Sequence, residues 1–552
     1  MTTVRDMLRD LISAAVQQTQ QQGVLPPAAV PEVTVETPQN PEHGEYASNI
    51  ALRMARTARM DPMSIALALA NQMAGTHFLS SVDVARPGFL NFKLSPAWIA
   101  SQVDEILSLG TSYGSVPLGN GATVQLEYVS ANPTGPLHVG AGRGAALGDS
   151  LANVLSHAGY RVEREYYVND AGSRMEAFYA TLYARYLQQL GVEAALPSDG
   201  YAGEYMVELA REIVAEHGRN YLEMPRDEAL PLLGKLGTDM MVARIRADLE
   251  RMNVRFDRWF SEQSLYDDGL IESTIAQLRD RGYVVEREGA VWFASTAMGE
   301  DKDNVLVRSN GTPTYFAADA AYHYDKFVLR GYDRVIDVWG ADHQGHVPRM
   351  KNIAGGVGVD PERLVVILYQ LVSLKRGGKP VRMSKRTGDI ITLDEVLEEV
   401  GSDAVRFFLL ARSPEAMMDF DLDLAKEQSN ENPVYYVQYA HARIASILRY
   451  AGEVDFSDGD VSLLVSQAEQ DLIRKMLMLP ELVEIAATTL APHHLPHYAQ
   501  EIAAVFHSFY KQCRVVSEDE GLTKARLKLV SACKIVLGNT LGLMGVNAPE
   551  QM

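Results

Sequence analysis

Val124-Gln125-Leu126-Glu127-Tyr128-Val129-Ser130-Ala131-Asn132-Pro133-Thr134-Gly135-Pro136-Leu137-His138-Val139-Gly140-Ala141-Gly142 reads as a strand that runs through a Pro/Gly turn into a helix. Residues 124–129 have strand composition. Beyond Gly142, Ala145, Leu147, Leu151, Val154, Leu155 and Ala158 recur at helical spacing, and Gly159 stands where a left-handed stop belongs. Residues 162–168 supply the next strand. This order is a βαβ unit, which predicts a parallel sheet with ligands at the carboxyl ends of its strands. The apolar runs 335–339 and 364–369 suit buried parallel strands of the same sheet.

Working outward, 552 residues exceed one core and predict several domains. Residues 1–110 read as an α+β unit, with a first helix through Met7, Leu8, Leu11 and Ile12, β-rich pieces at 33–35 and 89–93, and a helical stretch at 51–73. Residues 110–121 read as a linker. A sheet domain over 111–426 carries an insertion around 175–300, helical to about 249, with hairpins at 283–293 and 304–316. The second hairpin turns on Asn310-Gly311. Residues 427–552 show helical periodicity and predict an all-α bundle.

Composition narrows the class. The hydrophobic share is 47% and the charged share 22%, and no apolar run approaches a membrane span. The N-terminus lacks a signal peptide's apolar block. Cys513 and Cys533 alone make neither a disulfide framework nor a four-thiolate zinc site, which fits a reducing cytosol. The net charge of −20 argues against nucleic acid in bulk, but Lys375, Arg376, Lys379, Arg382, Lys385 and Arg386 cluster with no acid among them.

Three constellations carry chemistry. At the turn, Gly140 and Gly142 would let the backbone approach a phosphate at a helix N-terminus, while His138 donates to its oxygens. At Arg382-Met383-Ser384-Lys385-Arg386, flanked by Gly377, Gly378 and Gly388, a basic loop could close over a triphosphate, with Lys385 as its leading cation. Glu127 and Asn132 at the first strand's end, with Tyr315 and Asp319 four residues apart, offer carboxylates to a planar fork of donors. Either acid could instead pair with a cation of the protein. In 340–346, Asp342 suits an ammonium group; His343 and His346 without further ligands do not make a metal site.

The turn resembles the HIGH signature, and the basic loop the KMSKS signature, of class I aminoacyl-tRNA synthetases. End to end the chain resembles bacterial arginyl-tRNA synthetases. The resemblance implies a Rossmann-like catalytic domain between an N-terminal α+β domain that meets the tRNA elbow and a C-terminal helical domain that binds the anticodon. It implies ATP on His138, Gly140, Ala141, Gly142, Asp342, His343, Arg382, Met383, Ser384 and Lys385, with His138 and Lys385 catalytic. Arginine would sit on Glu127, Ser130, Asn132, Tyr315, Asp319 and Asp342, and tRNA on Phe89, Asn91, Tyr435, Tyr436, Tyr439 and Arg443. Phe89 and the tyrosines also read as core. Magnesium is expected as counter-ion to ATP, with no structural metal, and a cytoplasmic monomer that activates arginine only with tRNA. Ala141 departs from the family pattern, which has a second histidine there; Arg143 and Lys385 are candidate replacements for that donor.

Rival readings fit less well. A cysteinyl enzyme needs more cysteines, an editing synthetase a larger insertion, and a nucleotidylyltransferase a shorter chain. A non-catalytic RNA-binding relative would have no reason to keep His138, Lys385, Glu127 and Asp319 together.

Overall fold

The computed structural model describes residues 2–381 and 391–552. At its centre lies a five-stranded parallel sheet built from β1 (Thr123–Tyr128), β2 (Arg161–Val168), β3 (Arg258–Ser261), β4 (Arg334–Gly340) and β5 (Leu364–Tyr369). Its order is β5-β4-β1-β2-β3. The chain therefore leaves β1 in one direction and returns on its other side, so the β1/β4 boundary is the switch point where a ligand crevice opens.

Helix α1 (Val139–His157) follows β1. It lies close on the sheet because Gly148 has no side chain: a Cβ there would come within 2.2 Å of the Tyr128 ring. Gly159, at φ +84°, ends the helix as the sequence predicts.

The predicted insertion is two crossovers rather than one. Helices Ser173–Gln189, Glu204–His217 and Arg226–Arg251 lead from β2 to β3, a short edge strand absent from the sequence reading. The hairpin Val284–Arg287 and Ala290–Phe293 forms as expected, but 304–316 does not close as one. Asn304–Val307 pairs with the hairpin, and Thr314 then caps α2 (Tyr315–Tyr324), which takes Phe316 into a helix.

The N-terminal domain packs helices Val4–Gln21, Ile50–Ala58 and Pro62–Met73 with an antiparallel sheet in which Phe89–Leu94 is central. Residues 33–35 form no strand; neighbouring Glu36 makes a single bridge to Ala47. The predicted helical stretch 51–73 divides at Arg59 (φ +52°), where Asp61 caps a new helix beginning on Pro62.

Residues 110–121 are a packed seam rather than a free linker. Tyr113 is buried and donates to the Met476 carbonyl (3.1 Å), while Asn539 donates to the carbonyls of Gly110 and Tyr113. The C-terminal bundle (Pro433–Ala451, Gln467–Met476, Met478–Thr489, His494–Gln512 and Glu520–Leu543) also meets the N-terminal domain: buried Glu481 accepts from Tyr46 (2.7 Å) and pairs with Arg5 (2.9 Å). No helix among the described residues is long and apolar enough to cross a membrane.

Candidate active site

Beyond β1 the backbone turns sharply, with Val129 at φ +69° and Ser130 at φ +41°. A β-branched residue in this region is strained. The turn is held from β2 and the residues after it: Tyr167 N–H donates to Ser130 Oγ (3.1 Å), Asn169 Nδ2 to Ser130 O (2.9 Å), and Tyr166 Oη to Ala131 O (2.8 Å). Glu127, Ser130 and Asn132 consequently line an open cleft of about 2270 Å³ at the carboxyl edge of the sheet.

His138 caps α1. Its Nδ1 accepts from the Ala141 amide (3.4 Å), which places the ring proton on Nε2 as a donor. Burial lowers its pKa against the opposing pull of Asp342, so the neutral imidazole prevails. Gly140 makes room for that ring, since a Cβ there would lie 2.8 Å from His138 Cε1.

Two corrections follow around this turn. Gly142 does not line the cleft; the space a Cβ would take is occupied by Leu393 Cδ1 at 2.8 Å. Arg143 is fully buried and donates to the carbonyls of Gln370 (2.6 Å) and Ser413 (2.8 Å), so it cannot replace the donor missing at Ala141.

Arg382, Met383, Ser384, Lys385 and Arg386 lie outside the described residues, as does Gly388. The chain on either side is placed. Gly377 and Gly378, both at positive φ, turn the hairpin that leads into the basic stretch. After it, the Leu393 amide donates to Leu137 O (2.7 Å) and Thr392 bridges His138. The residues that follow the second motif are thus bonded directly to the first. The basic run is also less cationic in space than in sequence, because Lys375 pairs with Asp419 (2.7 Å) and Arg376 with Glu399 (2.6 Å).

Acids crowd the cleft's inner end. Glu127 is buried and pairs with Lys326 (2.7 Å), the alternative its sequence left open, although the partner is a lysine; burial raises its pKa against that pull. Asp319, on α2, is pushed up to about 6 by burial despite the favourable pull of His323, with Glu127 and Asp337 adding to the rise. Glu262, just after β3, is 3% exposed and pushed up to about 8 by burial and by Asp319 and Asp170. Tyr315 lies over Gly172, where a Cβ would meet its hydroxyl at 2.7 Å. Asp342, His343 and His346 stand at the opposite wall, Asp342 and His343 3.6 Å apart.

The sequence reading missed Lys326, Asp337, His323 and Glu262. Lys326 follows Asp319 by two helical turns, a spacing that marks one face. Glu262 carried no such signal, because the strand before it is only four residues long. No group of three or more His, Cys, Asp or Glu among the described residues is arranged for a metal ion.

The expected nucleic-acid residues lie far along the chain from this cleft. Phe89 is exposed on its strand, but Asn91 is only 5% exposed and cannot reach a polynucleotide from there. On Pro433–Ala451, Tyr435 stacks on Tyr439 (centroids 6.1 Å apart), Tyr436 packs on His507, and Arg443 lies over the rings of Tyr439 (5.0 Å) and Tyr510 (5.2 Å). These four are half-buried, so both the core and the surface reading hold in part.

Three family models match: the arginyl-tRNA synthetase N-terminal domain over residues 6–94, the class I (R) tRNA synthetase catalytic domain over 102–444, and the DALR anticodon binding domain over 437–552. The chain is 54% identical over 551 residues to an arginine–tRNA ligase of Dehalococcoides mccartyi (strain CBDB1), covering 100% of this chain and 99% of that one. It is 51% identical to an arginine–tRNA ligase of Carboxydothermus hydrogenoformans over 94% of each. The fold matches the solved Thermus thermophilus arginyl-tRNA synthetase over 100% of both chains, with a TM-score of 0.77–0.79 class agreement at 0.79 and 24% identity. Strand order, capped histidine turn, acid-lined cleft and full-length likeness converge: the chain belongs to the arginyl-tRNA synthetase family of class I aminoacyl-tRNA synthetases.

Proposed function

We propose that the protein is an arginine–tRNA ligase that activates arginine with ATP and transfers it to the terminal adenosine of tRNA(Arg) in the cytoplasm. A carboxylate oxygen of arginine attacks the α-phosphorus and pyrophosphate departs; a ribose hydroxyl of the tRNA then attacks the acyl carbon and AMP departs. His138 Nε2 donates to the triphosphate at the N-terminus of α1, where the free amides and the helix dipole favour anions. Magnesium accompanies ATP as counter-charge. Lys385 is assigned to the leaving pyrophosphate. Asp319 and Glu127 take the guanidinium, Tyr315 and Asn132 shape the channel with Ser130, and Asp342 takes the ammonium group. Phe89 is assigned to the tRNA elbow, and the Tyr435, Tyr436, Tyr439 and Arg443 cluster to unpaired anticodon bases, which stack on aromatic faces.

The observation that carries this reading is the Leu393–Leu137 bond, which draws the chain after the basic loop onto the histidine turn while the acids face the same cleft. Charging total tRNA with each of the twenty amino acids tests it. Arginine alone should be esterified, and pyrophosphate exchange should require tRNA. Charging with any other amino acid instead of arginine overturns the assignment.

The acids also predict a pH dependence. Arginine's guanidinium stays charged throughout, so its binding favours ionised carboxylates. With Asp319 near 6 and Glu262 near 8 in the free enzyme, arginine KM should fall as pH rises from 6 to 8.5. Calorimetry at pH 7 in buffers of different ionisation enthalpy should show proton release on arginine binding, reduced in Glu262→Gln. Proton uptake would contradict it.

A further inference from the structure

The sheet register sets Asp337, Glu127 and Glu165 side by side on β4, β1 and β2, and all three are buried. Residues in register on neighbouring strands face the same side, so three carboxylates form one row. The π-helical turn Asp325–Leu329, which continues α2, crosses that row. Its wider winding brings down two cations. Lys326 Nζ lies 2.7 Å from Glu127 Oε2 and 2.9 Å from Asp337 Oδ1, and 4.0 Å from the centre of the Tyr322 ring. Arg330 holds Glu165 (3.0 Å). The other oxygen of Asp337 meets His323 Nε2 at 3.1 Å. Of the three acids, Glu127 alone lines the cleft.

We propose that Lys326 is a specificity-determining positioning residue: shared between Glu127 and Asp337, it keeps Glu127 ionised and fixed at the cleft wall, so that the substrate guanidinium supplies the third cation of the row. The proposal rests on the assignment of Glu127 to arginine made above. Without Lys326, two buried carboxylates would flank one empty position, and one of them must take a proton. Asp337 keeps His323, so the proton falls to Glu127. The other groups around Glu127 bring no spare cation: Ser130, Tyr167 and Tyr322 are hydroxyls, Asp319 and Glu165 are acids, and Arg330 is committed to Glu165. A protonated Glu127 fills the same space but no longer favours a charged fork over a neutral urea.

The test is arginine KM in tRNA charging by the full chain from pH 6 to 9, for wild type, Lys326→Met, Lys326→Arg and the double variant Lys326→Met/Asp337→Asn. A carboxyl of an unneutralised pair rises by roughly 1–3 units or more, so Lys326→Met should raise arginine KM about thirtyfold at pH 7, with ATP KM unchanged. That excess should shrink as pH rises. Lys326→Arg and the double variant, which removes the like-charged neighbour, should lie within about fivefold of wild type. A rise that is flat with pH and unrelieved in the double variant overturns the proposal, as does a wild-type KM in Lys326→Met. Should Lys326→Met fail to fold, the charge-balanced double variant decides by the same criterion. Glu127→Gln is the control: an unchanged arginine KM there would remove the assignment of Glu127 itself, and the proposal with it.

Discussion

Asp319→Asn is expected to raise the arginine KM about a thousandfold while leaving ATP KM and folding intact. Glu127 shares its charge with Lys326, whereas the Asp319 carboxylate has no hydrogen-bonded cation of the protein among the described residues. It is therefore the acid with most charge left for a ligand. Losing one side of a desolvated, hydrogen-bonded charge pair costs about 2–5 kcal/mol, and about 4 kcal/mol is a thousandfold in affinity. Asparagine keeps the volume but offers one acceptor where a guanidinium needs two. Stability should move the other way. Burial raises the Asp319 pKa to about 6, and Glu127 and Asp337 add to that rise, so the ionised acid is disfavoured in the folded protein at neutral pH. Removing its charge should leave the melting temperature unchanged or higher, the pattern of a site whose function costs stability. An arginine KM within tenfold of wild type would remove Asp319 from the guanidinium site.

Much of the fold was legible because its signals are local. Alternating and continuous apolar runs marked β1, β2, β4 and β5, and Gly159 marked the end of α1. The edge strand β3 was not legible, since Arg258-Trp259-Phe260-Ser261 has neither length nor alternation, and its strand character comes from pairing with β2. The 304–316 region misled for a related reason. Asn310-Gly311 is a strong turn signal, but the chain beyond it is captured by the Thr314 cap and by α2 packing before a second strand can form.

For the site, sequence revealed what a short motif can hold and missed what long-range register creates. His138, Glu127 and Asp319 were legible as residue types near turns. The row Asp337-Glu127-Glu165 was not, because three strands far apart in the chain must first align. Lys326 looked like a surface lysine at a helix end, yet it is fully buried. Arg143 looked available beside the histidine turn, and only packing shows that its guanidinium is consumed by two carbonyls.

Arg406→Met is expected to lower folding stability by about 3–5 kcal/mol, the usual cost of breaking one side of a buried ion pair. Arg406 is fully buried and joins separate parts of the molecule: its guanidinium donates to Met544 O (2.6 Å) after the last helix, to Met252 O and Asn253 O (both 3.1 Å) at the end of the long crossover helix, and to Asp149 (2.6 Å) on α1. Gly545 accommodates it, at φ +66° and with no Cβ, which would otherwise come within 2.3 Å of the guanidinium. Methionine can fill much of the volume but satisfies none of the three carbonyls. Arg164, 3.6 Å from Asp149, leaves that acid one partner, so the carbonyls account for a large part of the loss. The loss should therefore persist in Arg406→Met/Asp149→Asn, which removes the unpaired acid but not the unsatisfied carbonyls. Because the seam joins the C-terminal bundle to α1, urea unfolding should shift to a lower midpoint and tRNA KM should rise before arginine KM does. An unchanged midpoint would mean that the apolar packing shared by these segments holds them together without the arginine.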